Sequence, residues 1–147
     1  MSRRAGFSLT ELMVTVLVMG ILAAFSAPAV FKAISRWNLH TSRQLVISEV
    51  KLLREKAVTQ GRPLRIWFSP GSNLYWFLNP KTNVWVSYQL PSRVTFYSVA
   101  FPGSSPPYYT IMQPDGRSSA SGTVILVNNT GQKDTVVVNL SGWVGQP

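Results

Sequence analysis

Phe7-Ser-Leu-Thr-Glu-Leu-Met-Val-Thr-Val-Leu-Val-Met-Gly-Ile-Leu-Ala-Ala-Phe-Ser-Ala27, continuing past Pro28 to Phe31, decides how the chain is organised. These 25 residues carry one charged side chain, Glu11. About 20 consecutive apolar residues suffice to cross a bilayer as a helix. Arg3 and Arg4 lie on the N-terminal flank, so the positive-inside rule puts Met1 in the cytoplasm and the long C-terminal part outside. Lys32 and Arg36 on the other flank oppose this weakly. A secretory signal peptide would have an apolar run of about 7–15 residues and a small-x-small cleavage site. Here the run is longer and merges into a continuing helix, so it reads as a retained span.

Outward from this span the composition divides. The chain has 147 residues, with 14 Lys+Arg against 5 Asp+Glu and a net charge of +9. The 116 residues from Lys32 to Pro147 hold 12 basic and 4 acidic side chains. One part suits lipid and the other water, which excludes a plain cytosolic enzyme, and the length suits one domain. The absence of cysteine excludes disulfides and thiolate metal sites. His40 is the one histidine, and Glu49, Glu55, Asp115 and Asp134 form no pair at a catalytic spacing. No catalytic residue, metal or cofactor is therefore expected.

Glu11 is the anomaly. A carboxylate at the centre of a membrane helix costs roughly 2.5–3.5 kcal/mol, somewhat less near the interface. It either marks the headgroup level or awaits a positive partner within lipid. Gly6-Phe7-Ser8-Leu9-Thr10-Glu11, behind a basic leader and ahead of an apolar helix, resembles the class III leader of type IV pilins and pseudopilins. The resemblance implies cleavage by a prepilin peptidase after Gly6 and N-methylation of Phe7. It also implies that Glu11 pairs with the N-terminal amine of a neighbouring subunit during assembly. Pro28 sits where many members of that family carry a helix-bending proline.

Residues 29–60 lack internal glycine and all proline but Pro28 precedes them; Gly61-Arg62-Pro63 supplies the stop. At about 100° per residue, Leu39, Val46, Val50, Leu53 and Ala57 share an arc roughly 60° wide, the expected inner face. Val30, Ile34, Thr41, Leu45, Ser48 and Leu52 form a second set about 140° away. That set is either a contact surface for other subunits or a widening of the buried face. Arg36, His40, Arg43, Lys51 and Arg54 fall within another arc of about 80°. This is either a solvated face or a stripe that contacts phosphates of DNA or an acidic partner.

After Pro63 the pattern turns to short β-type runs between turn clusters: 64–68, 74–78, 84–88, 94–99, 109–112, 123–128 and 135–140. Phe101–Pro107, with three prolines, reads as a loop. Met112-Gln-Pro-Asp-Gly116 and Gly122-Thr-Val-Ile-Leu126 resemble the GspH/FimT branch of minor pilins and pseudopilins. The hairpin ending Ser141-Gly-Trp-Val144 stands where that branch ends in Gly-Arg-Val. The resemblance implies an α+β, type IV pilin-like fold, in which a long N-terminal helix packs on antiparallel sheets and its membrane half protrudes.

The expected layout is a leader over 1–6, a transmembrane half-helix over 7–31, an amphipathic half over 32–62 and a β-rich periplasmic or extracellular domain over 63–147. The implied function is that of a minor pilin or pseudopilin in a type IV pilus or type II secretion pseudopilus. Its partners would be other pilins or pseudopilins, the prepilin peptidase, the inner-membrane assembly platform and the lipid bilayer. It would sit in a bacterial inner membrane as a single-pass protein before entering the filament. The alternative is a DNA-binding minor pilin for natural transformation. Some FimT-type members bind DNA through a basic tail, but no basic residue follows Lys133 here. DNA contacts would then fall on Arg36, Arg43, Lys51, Arg54, Arg62, Arg65, Arg93, Arg117 and Lys133. Aromatics at 67, 75, 76, 85, 88 and 97 either pack a sheet face or stack on bases or sugars, with Tyr108, Tyr109 and Trp143 beside loops as surface candidates.

Overall fold

The computed structural model describes residues 8–79, 82, 84–102 and 108–147. Gly6 and Phe7 therefore lie outside the described residues. The chain divides into two compact units, Met1–Ile34 and Ser35–Pro147.

Helix α1 (Leu9–Gln60) contributes to both units. Ser8 starts it: its hydroxyl accepts from the Glu11 N–H at 3.2 Å, and its carbonyl accepts from the Leu12 N–H at 3.2 Å. The helix ends in a glycine-terminated motif. Gly61 has φ 63°, and the Arg62 N–H bonds back to the Ala57 carbonyl while the Gly61 N–H reaches Val58. All described residues of the first unit are exposed, including Leu12, Val16, Leu17 and Phe25. A helix apolar all round and unburied within its own chain is an element for lipid or for a bundle. It is long and apolar enough to cross a membrane.

In the second unit, the chain folds into two four-stranded antiparallel sheets. The first uses β1 (Leu64–Phe68), β2 (Leu74–Leu78), β3 (Trp85–Gln89) and β5 (Tyr109–Met112), in the order β3-β2-β1-β5. The second uses β4 (Val94–Ala100), β6 (Gly122–Asn128), β7 (Lys133–Val138) and β8 (Val144–Gly145), in the order β4-β6-β7-β8. Leu39, Val46, Val50, Leu53 and Ala57 are all buried and share one core with Ile66, Phe68, Phe96, Phe101, Met112, Val124, Leu126, Val136 and Val138. The expected inner face of the helix is thus the face that packs.

β3, β4 and β6 differ from the sequence reading by one residue each, and the two larger differences have local reasons. β7 begins at Lys133 rather than Thr135 because Asn128 builds a tighter turn than composition suggests. Its Oδ1 accepts the N–H groups of Thr130 and Gln132, and Gly131 takes φ 80°. Leu140 consequently falls outside the strand and is exposed. β8 went unread because two residues carry no periodicity; it pairs with β7 through Val137↔Gly145 and Val138↔Val144.

Polar contacts tie the helix to the second sheet. Asn128 Nδ2 donates to the Ser35 carbonyl, and the Ser35 hydroxyl donates to Asn129 Oδ1 at 2.6 Å. Arg43 Nη1 lies 3.0 Å from Asp134 Oδ2 and donates to Oδ1 at the same distance. The Asn128 turn and this ion pair fix the helix lengthwise, which apolar packing alone does not do.

Candidate functional site

Glu11 occupies the third helical position behind the Ser8 cap, in a Ser-x-x-Glu arrangement whose spacing is itself a sequence signal for a helix start. An acid in the first turn also complements the positive end of the helix dipole, worth about 0.3–1 kcal/mol on an exposed surface. This local benefit is several-fold smaller than the cost of a carboxylate placed at the bilayer centre. Capping alone is therefore a weak reason for an acid in an otherwise apolar run. Among the described residues one ion pair forms, Arg43–Asp134, and Glu11 has no cationic partner. The carboxylate is exposed beside Leu12, Met13 and Val14, so it is open to a group from outside the unit.

The second apolar helix set separates by position. Thr41, Ser48 and Leu52 are exposed, whereas Leu45 is half-buried and packs on the core. Val30 and Ile34, in the first unit, are exposed.

The nine candidate DNA-contacting cations differ in their surroundings. Arg43 is held by Asp134, and Arg54 Nε donates to the Gly116 carbonyl at 2.8 Å. Arg43 lies at the edge of the basic arc nearest the buried face, and Arg54 one step further round. Arg65 stacks over the Tyr109 ring at 4.7 Å, and Lys133 over Tyr97 at 3.5 Å. Arg62 Nε donates to Gln60 Oε1 at 3.3 Å. Arg36 and Lys51 are exposed on α1, Arg93 sits at φ 73° before β4, and Arg117 is exposed in the turn after β5. Lys51 and Arg54 do meet in one cavity of 700 Å³, but Glu55 and Asp115 share it. Its charge is mixed rather than basic.

The aromatics divide as well. Tyr75 is buried and packs against Phe77, Tyr88 and Phe96, so it serves the core. Burial, the nearby Glu49 carboxylate and Tyr88 together push its hydroxyl up to about 12. Tyr97 and Trp143 are exposed, Tyr108 packs on the core and Tyr109 stacks on Trp67. Trp67, Trp76 and Trp85 lie on the side of the first sheet away from the core, and together line a cavity of 360 Å³.

Comparison with known proteins gives two kinds of match. Residues 1–27 match the prokaryotic N-terminal methylation motif. Among solved structures, the minor pseudopilin EpsH of the Vibrio cholerae type 2 secretion system matches with a TM-score of 0.56 and 13% identity, over 75% of this chain and 96% of that one. The type IV minor pilin FimU of Pseudomonas aeruginosa (strain PAO1) matches with a TM-score of 0.59 and 12% identity, over 76% and 90%. At such identities the likeness is one of fold. No curated protein matches the chain at significant similarity. The chain therefore carries a methylation motif that runs into the start of a type IV pilin-like fold, a long N-terminal helix packed against antiparallel sheets.

Proposed function

We propose that this chain is a minor pilin or pseudopilin, a structural subunit that enters a type IV pilus or a type II secretion pseudopilus after its leader is removed. The observation that carries the proposal is the Glu11 carboxylate, without a cationic partner among the described residues, at the start of an exposed apolar helix and within the methylation motif. In this reading the subunit waits in the inner membrane with its N-terminus in the cytoplasm. Prepilin peptidase cuts after Gly6, and the Phe7 amine becomes the new, methylated N-terminus. That amine stays cationic at neutral pH, since an α-amino group has a pKa of about 8.

Opposite charges about 4 Å apart attract by about 1 kcal/mol in water and about 4 kcal/mol at an effective dielectric of 20. The carboxylate's insertion cost thereby becomes a preference for one docking position, in which Glu11 of one subunit meets the amine of its neighbour. The apolar helices then bundle. The DNA-uptake alternative draws less support, because Arg43, Arg54, Arg65 and Lys133 already have partners within the domain.

The test is Glu11→Gln and Glu11→Val in the native filament system. Both variants should reach the membrane and lose their leader, yet be missing from sheared filaments or cross-linked assemblies. Incorporation at the wild-type level would sink the docking mechanism.

A further inference from the structure

The first sheet presents an aromatic side chain from each of its four strands on the face turned away from the core. Tyr109 lies opposite Trp67, and Trp67 opposite Trp76. Trp85 lies opposite Leu78, two positions along from Ser87, which faces Trp76. The row therefore crosses the sheet and turns obliquely at its end. Three inter-strand steps of about 4.8 Å give it a length of roughly 14 Å. Tyr109 and Trp67 stack at 5.4 Å with their planes 15° apart, and the three indoles line the 360 Å³ cavity. That volume lies in the range of about 300–1,000 Å³ typical of small-ligand sites.

These rings do not complete the core, which is filled from the other face by Ile66, Phe68 and Tyr75. Among the described residues no hydrogen bond engages an indole N–H of the three tryptophans. β3 is an edge strand, exposed throughout. The Asn79 N–H bonds to Val84 O and the Leu90 N–H to Asn73 O, so the even-numbered residues of β3 face β2. The backbone N–H and C=O of Trp85, Ser87 and Gln89 therefore point outward, beside the aromatic row. Among the described residues this face holds no carboxylate, and its one cation, Arg65, is stacked over Tyr109.

We propose that this face is a glycan-binding platform that takes an uncharged β-linked hexose chain along the three indoles, from Trp67 to Trp85. A pyranose ring offers a flat C–H face, which suits the electron-rich face of an indole, and a rim of hydroxyls, which suits free N–H and C=O groups. A ligand of this kind needs no ionic anchor. A nucleic acid does, because its affinity comes mainly from phosphate neutralisation.

The test uses the full chain, purified in a detergent without a sugar headgroup, and isothermal titration calorimetry with cellohexaose and with chitohexaose. Co-sedimentation with peptidoglycan sacculi and with cellulose then separates a cell-wall source from an external one. Binding to at least one hexaose should survive an about tenfold rise in salt. Trp85→Ala, on the exposed edge strand, should weaken it by about tenfold or more without changing the melting temperature. Trp143→Ala, on the other sheet, should leave it unchanged. If Trp76→Ala fails to fold, Trp85→Ala still decides. The proposal is overturned if neither hexaose binds, if binding collapses with salt, or if Trp85→Ala binds as wild type. It is equally overturned if Trp85→Ala loses association with other pilin subunits while no glycan binds, which would make the face a protein interface.

Discussion

Gly142 and Gly131 have almost the same backbone, with φ 77° and φ 80°, but opposite surroundings. A Cβ at Gly131 would meet nothing within 4 Å, whereas one at Gly142 would overlap the Gly116 carbonyl oxygen and come within 2.9 Å of Arg54 Nε. The Gly131→Ala variant should therefore report the left-handed backbone alone, about 1–2 kcal/mol. Gly142→Ala should add an overpacking term of about 1–3 kcal/mol or more, because the obstacle is backbone rather than a movable side chain. The same Gly116 oxygen accepts from Arg54 Nε at 2.8 Å, so the displacement also breaks that contact. Urea denaturation of both variants in the same detergent, followed by near-UV circular dichroism, gives the difference directly. A second pair, Gly131→Asn and Gly142→Asn, sharpens it, since asparagine tolerates this φ but still carries a Cβ. Asparagine should recover much of the loss at position 131 and little at 142. Equal losses for the two alanine variants would refute the reasoning, because the packing of the 142 turn against the 116 turn would then carry no energy.

Asp134→Ala should destabilise the domain by about 3 kcal/mol, the lower end for a broken buried pair, since the side chains retain 14% and 22% exposure. The double variant Arg43→Met, Asp134→Leu should return to within about 1 kcal/mol of wild type, and a urea double-mutant cycle reads both. Tyr75 ionises near 10 when unfolded but at about 12 in the fold, where burial first, then Glu49 and Tyr88, hold the proton. Its contribution is therefore complete below pH 10 and should be lost between pH 10 and about 12, by up to about 3 kcal/mol. The urea midpoint of Tyr75→Phe should lack that part of the alkaline fall. Ser8→Ala removes the cap but keeps the carboxylate, so it should weaken helix formation by about 1 kcal/mol, visible as faster amide exchange at Leu9–Leu12, while filament entry persists. Loss of entry in both Ser8→Ala and Glu11→Gln would assign Glu11 a capping role instead.

The helix was legible because its signals repeat. Leu39, Val46, Val50, Leu53 and Ala57 return to one arc, and Gly61 ends it with a left-handed turn that side-chain-bearing residues resist. Strands at 64–68, 74–78 and 109–112 were legible as short runs of aromatic and aliphatic residues set off by turn residues. What escaped depends on contacts that composition does not show, whether a side chain closing its own turn or a pairing between remote segments. Asn128 shortens a turn through its own amide, and Val144–Gly145 becomes a strand because β7 offers a free edge. The charged stripe shows its period in the sequence, but that Arg43 has Asp134, 91 residues on, as its partner is not legible there. The aromatic row needs the order β3-β2-β1-β5, which no local window contains.

The irregularity in β4 bears on which insertions and deletions the chain can tolerate. Pairing with β6 runs Phe96↔Leu126 and then Ser98↔Ile125, so Tyr97 is an extra residue with no partner of its own. Val94 and Phe96 are buried before the bulge, and Val99 and Phe101 after it. Removing Tyr97 would leave Val-Thr-Phe-Ser-Val-Ala-Phe, an unbroken alternation with the same four residues inward. Losing a residue in mid-strand normally turns every later side chain to the wrong face. At this position the shortened chain keeps its core and gives up the Lys133 stack on Tyr97. Length variation among descendants of this sequence is thus permitted inside a strand, at a site where a loop-only view of indels would not look.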